Sequence, residues 1–186
     1  MNIGFAMTGS FCTYAQVFPI LEDLSKIHSV TPIFSQTAAT VDSRFGTARE
    51  HLRRAEEICG THSILTIPQA EPIGPKQLFD VLLIAPCTGN TLAKLAHSIA
   101  DGPVTMAAKS HLRNARPVVI AVSTNDGLAG AAENIGKLLG RKHYYFVPFG
   151  QDDPIGKPTS LVAHFSRIPQ TLEAAREGKQ LQPLLQ

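Results

Sequence analysis

Apolar residues along this chain follow two alternating spacings. Short continuous runs occur at Ile3-Gly4-Phe5-Ala6-Met7, Val30 to Phe34, Val81-Leu82-Leu83-Ile84-Ala85, Pro117 to Val122 and Tyr144 to Val147, with the length and branching of strands buried on both sides. Between these runs the apolar positions fall three and four apart, which is helical spacing. Val17, Ile20, Leu21, Leu24 and Ile27 form one stripe. Ala48, Leu52, Ala55 and Cys59 form a second over roughly Thr47 to Cys59, with Arg49, Arg53 and Arg54 largely opposite. Leu92, Leu95, Ala96 and Ile99 form a third, and Leu128, Ala131, Ala132, Ile135, Leu138 and Leu139 another. Asp101-Gly102-Pro103 turns the chain into a further helix, because Pro103 suits a first turn that needs no amide donor. A short helix is expected near Pro169 to Glu177.

Strands alternating with helices predict an α/β fold: a three-layer, doubly wound, Rossmann-like and mainly parallel sheet covered on both faces. At 186 residues the chain is long enough to bury one full core, so residues 1–186 read as one domain, with 149–186 as a loop and tail on the same body. The connector holding Pro68, Pro72 and Pro75 reads as irregular, as does the Pro- and Gly-rich stretch from Pro148 to Ser160.

Composition excludes more than it indicates. With 17 basic and 15 acidic residues the net charge is +2, which gives no reason to expect nucleic acid or an acidic membrane as partner. The basic side of the second stripe reads first as a solvated face. The seven His are scattered, and no metal site is expected from them. Cys12, Cys59 and Cys87 are odd in number and far apart, which argues against a disulfide framework and for a reducing compartment. Met1-Asn2-Ile3-Gly4-Phe5 lacks a basic leader, and no apolar run is long enough for a membrane span, so a soluble cytoplasmic chain is expected.

In a sheet of this kind the loops after successive strands meet along one edge. Here those loops are Thr8-Gly9-Ser10, Ser35-Gln36-Thr37, Pro86-Cys87-Thr88-Gly89-Asn90 and Ser123-Thr124-Asn125-Asp126. They carry hydroxyls and amides but no paired nucleophile and base, which suits a bound phosphate and a planar polar ring. Any one of them alone reads as a helix N-cap; four together point to a ligand site. The three glycines of a dinucleotide fingerprint are missing, and so is the Gly-Lys-Ser/Thr of a P-loop. Cys87 stands before a helix without a His or carboxylate nearby and reads as a packing or ligand-lining residue.

The stretch from Ala85 to Lys94 resembles the Ala-Pro-x-Thr-Ala-Asn-Thr signature of the FMN-binding flavoprotein family that includes peptidyl-cysteine and phosphopantothenoylcysteine decarboxylases, with Gly89 in place of Ala. Gly9-Ser10 and Ser35 to Thr37 match its first two loops. The resemblance covers about residues 2 to 150. It implies the flavoprotein type of the fold, an FMN cofactor held by Gly9, Ser10, Ser35, Thr37, Pro86, Thr88, Gly89, Asn90 and Ser123, and a trimer-based homo-oligomer. Two departures count against a decarboxylase: Glu71 to Pro75 replaces the stretch that carries the catalytic His, and Val122-Ser123-Thr124-Asn125 keeps only the Asn of Pro-x-Met-Asn. A relocated imidazole such as His62 would be needed to restore that chemistry.

A second resemblance runs nearly end to end, on Thr8 to Tyr14, Arg44-Phe45-Gly46, Ala70 to Lys76, Met106 to Lys109, Ser123 to Asp126 and Phe149 to Pro154. It is to flavoprotein-like subunits of sporulating bacteria that work beside a separate protein similar to nicotinamide-dependent dehydrogenases. It implies oxidation of a cyclic dihydro-dicarboxylate to its aromatic acid in the mother-cell cytoplasm, with NADP entering through the partner. Asn125 and Asp126 are then the expected catalytic residues, and Asn125, Lys76, Gln151 and Lys157 the expected contacts to the small dicarboxylate. Asp152 and Asp153 are further proton acceptors, and Phe149 to Thr159 is expected to form a flap. The competing expectation is a non-catalytic flavin-binding or scaffold subunit.

Overall fold

The computed structural model describes residues 1–186. In chain order the elements are β1 (Asn2–Met7), α1 (Tyr14–Ile27), β2 (Ser29–Phe34), α2 (Gln36–Thr40), α3 (Ala48–Cys59), α4 (Ile67–Ala70), β3 (Val81–Cys87) and α5 (Gly89–Ala96). They continue with α6 (Pro103–Leu112), β4 (Val118–Thr124), α7 (Ala132–Leu139), β5 (Tyr144–Phe146), β6 (Phe149–Gly150), β7 (Leu161–Ala163) and α8 (Ile168–Arg176).

The predicted parallel sheet is present, in the order β2-β1-β3-β4-β5. Every residue of β3 is buried, as is most of β4, because helices lie on both faces. Helices α1 and α8 pack on one face, and α5, α6 and α7 on the other, with α3 against α1 beside β2. Right-handed crossovers require this division: the chain leaves β1 toward β2, then returns past β1 to β3, β4 and β5. The ends of β1 and β3 therefore part company at a topological switch point, where open α/β sheets bind ligands.

Beyond β4 the sheet changes direction. β7 pairs antiparallel with the end of β4, Ser123 opposite Val162, and β6 pairs antiparallel with β7. The reading of Pro148 to Ser160 as plain loop is corrected here: the segment opens with β6, which at two residues is too short to leave an alternation pattern. Phe165, Ile168 and Leu172 from the tail join the same buried cluster as Phe5 and Val119.

Five stripe positions lie outside the core, among them Ala132, exposed in the first turn of α7. Ile27 is 73% exposed because α1 ends there, and Leu139 closes α7 in the same way. Ile99 follows the end of α5, where Ser98 turns left-handed at φ 59°. Leu128 lies in a turn that precedes α7 rather than in the helix. The Pro-broken connector is helical: Thr66 caps α4 in a reciprocal pair with Gln69, and Pro68 falls in the first turn. No helix is long and apolar enough to cross a membrane.

Candidate functional site

The carboxyl ends of β1, β2 and β3 surround a cleft of about 270 Å³. Each strand contributes through the turn that follows it. After β1, Thr8 is buried, its hydroxyl donating to the Pro86 carbonyl at 2.7 Å and accepting from the Thr88 amide at 3.1 Å. One side chain thus joins the ends of the two strands that diverge at the switch point. Gly9 follows, and a Cβ there would lie 3.2 Å from Thr37 Cγ2, so the glycine leaves the first loop room against the second.

After β2, Ser35 does not lead a polar loop as expected. It caps α2, its hydroxyl accepting from the Ala38 amide at 3.2 Å, so Gln36 and Thr37 form the first turn of a short helix. After β3, Thr88 caps α5 by accepting from the Thr91 amide at 3.3 Å, and its hydroxyl also pairs with that of Thr91 at 3.0 Å. Both caps place a helix start beside the cleft, and helix starts favour an anion.

Of the expected cofactor residues, Gly9, Ser35, Thr37, Thr88 and Asn90 line this cleft. Ser10 and Ser123 sit beside it and share a hydrogen bond of 2.7 Å that joins the turn after β1 to the end of β4. Pro86 is buried inside β3 next to the cleft floor, following a cis peptide bond from Ala85. Gly89 begins α5 directly below Asp126: a Cβ on Gly89 would lie 2.7 Å from Thr124 Oγ1 and 2.8 Å from Asp126 Oδ1. Asp126 in turn accepts from the Thr124 hydroxyl at 2.5 Å.

The far wall of the cleft has no counterpart among the expected residues. It consists of Lys94 on α5 and the segment Asp101 to Thr105 leading into α6. Lys94 and Asp101 form an ion pair of 2.9 Å. Asp101-Gly102-Pro103 carries a signal, the helix start at Pro103, but nothing in it says that this helix begins at the cleft.

The model of the family described as Flavoprotein matches residues 1–139, which hold the whole cleft. The chain belongs to the flavoprotein family. The B subunit of dipicolinate synthase from Bacillus subtilis (strain 168) is 46% identical to it over 185 residues, 99% of this chain and 92% of that protein. The crystal structure of the corresponding dipicolinate synthase protein from Bacillus halodurans C matches with a TM-score of 0.91 and 44% identity, covering 100% of this chain and 95% of that one. The FMN-dependent cysteine decarboxylase SpaF shares the fold, with a TM-score of 0.68 and 22% identity over 94% of this chain and 97% of that one.

In this flavoprotein-family chain the expected substrate contacts are dispersed. Lys76 lies in the turn that leads into β3, at the amino edge of the sheet and outside the cleft lining. Gln151 and Lys157 are exposed and occupied within their own loop, Gln151 donating to the Pro158 carbonyl at 2.8 Å and Lys157 to Asp152 at 3.3 Å. Partial burial acts to raise the Asp152 carboxyl, but hydrogen bonds from Ser160 and Lys157 outweigh it and hold the group below its ordinary value. The loop is fastened to the site all the same. Thr159 donates to the Asn125 carbonyl at 2.7 Å and accepts from the Leu128 amide at 2.9 Å, bringing residues 151–159 against Asn125.

Cys87 is fully buried, and burial pushes its thiol up, which suits packing rather than attack. His62 is fully exposed beside Glu56, and no imidazole lines the cleft.

Proposed function

We propose that this chain is the flavin-binding component of a dipicolinate synthase, acting with a separate A subunit to oxidise dihydrodipicolinate to dipicolinate during sporulation. The observation that carries the reading is the end-to-end similarity to the B subunit of that enzyme. The cleft adds chemical support. Its donors are hydroxyls and amides at the start of α5, with space kept by Gly9, and they suit the phosphate and ribityl chain of FMN. Gly9, Ser35, Thr37, Thr88 and Asn90 would hold that end, with Ser10, Pro86, Gly89 and Ser123 bordering the ring.

Aromatisation of the dihydropyridine ring removes a hydride and a proton. Bound FMN supplies the hydride acceptor. The chain's own residues orient the substrate and receive the proton. Asn125, exposed at the end of β4, contacts a substrate carboxylate through its amide. The Asp126 carboxylate, held by Thr124, stands above Gly89 where it can accept a proton. The braced loop 151–159 is tied to the Asn125 backbone by Thr159 and steadies the end of β4 beside the substrate. A nicotinamide, NADP, enters through the A subunit, and this chain assembles as a trimer-based homo-oligomer in the mother-cell cytoplasm.

The test is an assay of each protein alone and of the mixture, with and without FMN and NADP. Dipicolinate formation is expected only from the mixture, and its rate should rise with added FMN. Full activity of the mixture without flavin would instead assign this chain a scaffold role. Release of carbon dioxide from a cysteine-ending peptide by this chain alone would return the decarboxylase reading.

A further inference from the structure

The cleft is lined by hydroxyls, amides and backbone except at one place. Lys94 is its single cation and Asp101 its single carboxylate, and the two neutralise each other at 2.9 Å. Lys94 lies four residues after Asn90 and three after Thr91, so all three share the face of α5 that looks into the cleft. Its side chain is 32% exposed, against 54% for Asp101. The lysine is therefore the inner partner and the aspartate the outer one. Asp101 is brought back to Lys94 by the left-handed turn at Ser98, where the Ile99 amide also bonds to the Lys94 carbonyl at 2.8 Å.

A phosphate monoester carries about 1.5 to 2 negative charges at neutral pH. Neutral donors alone orient such a group without balancing its charge, and a carboxylate on the rim opposes its entry. The group able to change partners is Lys94, whose ammonium sits on a flexible stem.

Resting on the flavin reading above, we propose that Lys94 recognises the phosphate terminus by exchanging Asp101 for it. The ion pair then makes the cleft select FMN over unphosphorylated riboflavin. Asp101 is the competing anion: it keeps Lys94 in place while the cleft is empty and lowers the affinity for the phosphate.

The experiment is fluorescence titration of the whole chain with FMN and, separately, with riboflavin, on the wild type and on Lys94→Gln, Lys94→Arg and Asp101→Asn, each checked for unchanged thermal unfolding. Lys94→Gln should weaken FMN about tenfold while leaving riboflavin within about twofold. Lys94→Arg should restore most of the loss, and Asp101→Asn should tighten FMN severalfold without affecting riboflavin. Equal weakening of both flavins by Lys94→Gln, or no change in either, overturns the proposal while leaving the FMN site intact. Wild-type protein that binds neither flavin overturns both readings.

Discussion

The Asp126 carboxylate fills the space that a side chain at Gly89 would need, with Oδ1 2.8 Å from the Cβ position. Gly89 departs from the Ala expected at this point of the flavoprotein signature, and the departure has a local cause in the Thr124–Asp126 pair above it. Gly89→Ala should cost about 1 to 2 kcal/mol through displacement of these two short side chains. In Gly89→Ala/Asp126→Ala part of the cost should disappear, the contact with the Thr124 hydroxyl remaining. Urea unfolding of the double-mutant cycle measures the coupling; additive effects would mean that the two residues do not compete for space.

Thr8 joins β1 to β3 through the Pro86 carbonyl and the Thr88 amide. Thr8→Val keeps the shape and removes both bonds, leaving a buried acceptor and donor unpaired. The expected loss of stability is about 2 to 4 kcal/mol, from a desolvation penalty at each group. Denaturant unfolding with an unchanged m-value reads it directly, and a loss below about 0.5 kcal/mol would remove Thr8 as the tie.

His111 is buried where α6 turns toward β4, its Nε2–H donating to the Pro117 carbonyl at 3.1 Å. Burial pushes its pKa down to about 4, a tendency the carbonyl bond only partly offsets. The unfolded chain, with His near 6.5, therefore binds more protons than the folded one between about pH 6.5 and 4. The stability from this group is complete above about pH 6.5 and declines as pH falls through that window, by up to roughly 3 kcal/mol. His51, also held low by burial, adds in the same direction. His111→Gln should flatten the decline between about pH 7 and 5, as measured by urea midpoints; an unchanged slope would show that His111 titrates normally.

The three cysteines should separate by reactivity. Cys12 is exposed, Cys59 half-buried and Cys87 fully buried, with burial pushing the last two thiols up. A thiol-exchange reagent should modify Cys12 first and Cys59 slowly, and should reach Cys87 only on global unfolding. Rapid modification of Cys87 in the folded chain would reopen a nucleophilic role.

The five parallel strands are readable in the sequence because a sheet buried on both faces leaves continuous apolar runs, as Val81 to Ala85 illustrates. The antiparallel addition is not, since β6 and β7 have two and three residues and pair by backbone alone. His51 stands on the apolar face of α3 without a sequence signal, because hydrophobic spacing counts imidazole as polar. In the fold its ring is buried against Tyr14 at 4.8 Å and stacked on Phe18 at 5.8 Å. Half of the cleft follows from a topological rule: turns after parallel strands share one edge, which places Gly9, Ser35, Thr37, Thr88 and Asn90 together. The same rule applies in reverse to Lys76, which precedes β3 and so belongs to the opposite edge. Lys94 and Asp101 need the actual path of the chain between α5 and α6, which depends on the left-handed turn at Ser98 and has no periodic signal.

The central claim is that the cleft between the ends of β1 and β3 holds FMN. Titrating the purified chain with FMN and following quenching of flavin fluorescence tests it most directly, with Thr88→Val measured in parallel. Saturation at one FMN per chain is expected and, for Thr88→Val, an affinity lower by about 1 to 3 kcal/mol through loss of a hydrogen bond to a charged group. Absence of quenching, or equal affinity in both proteins, would contradict the claim.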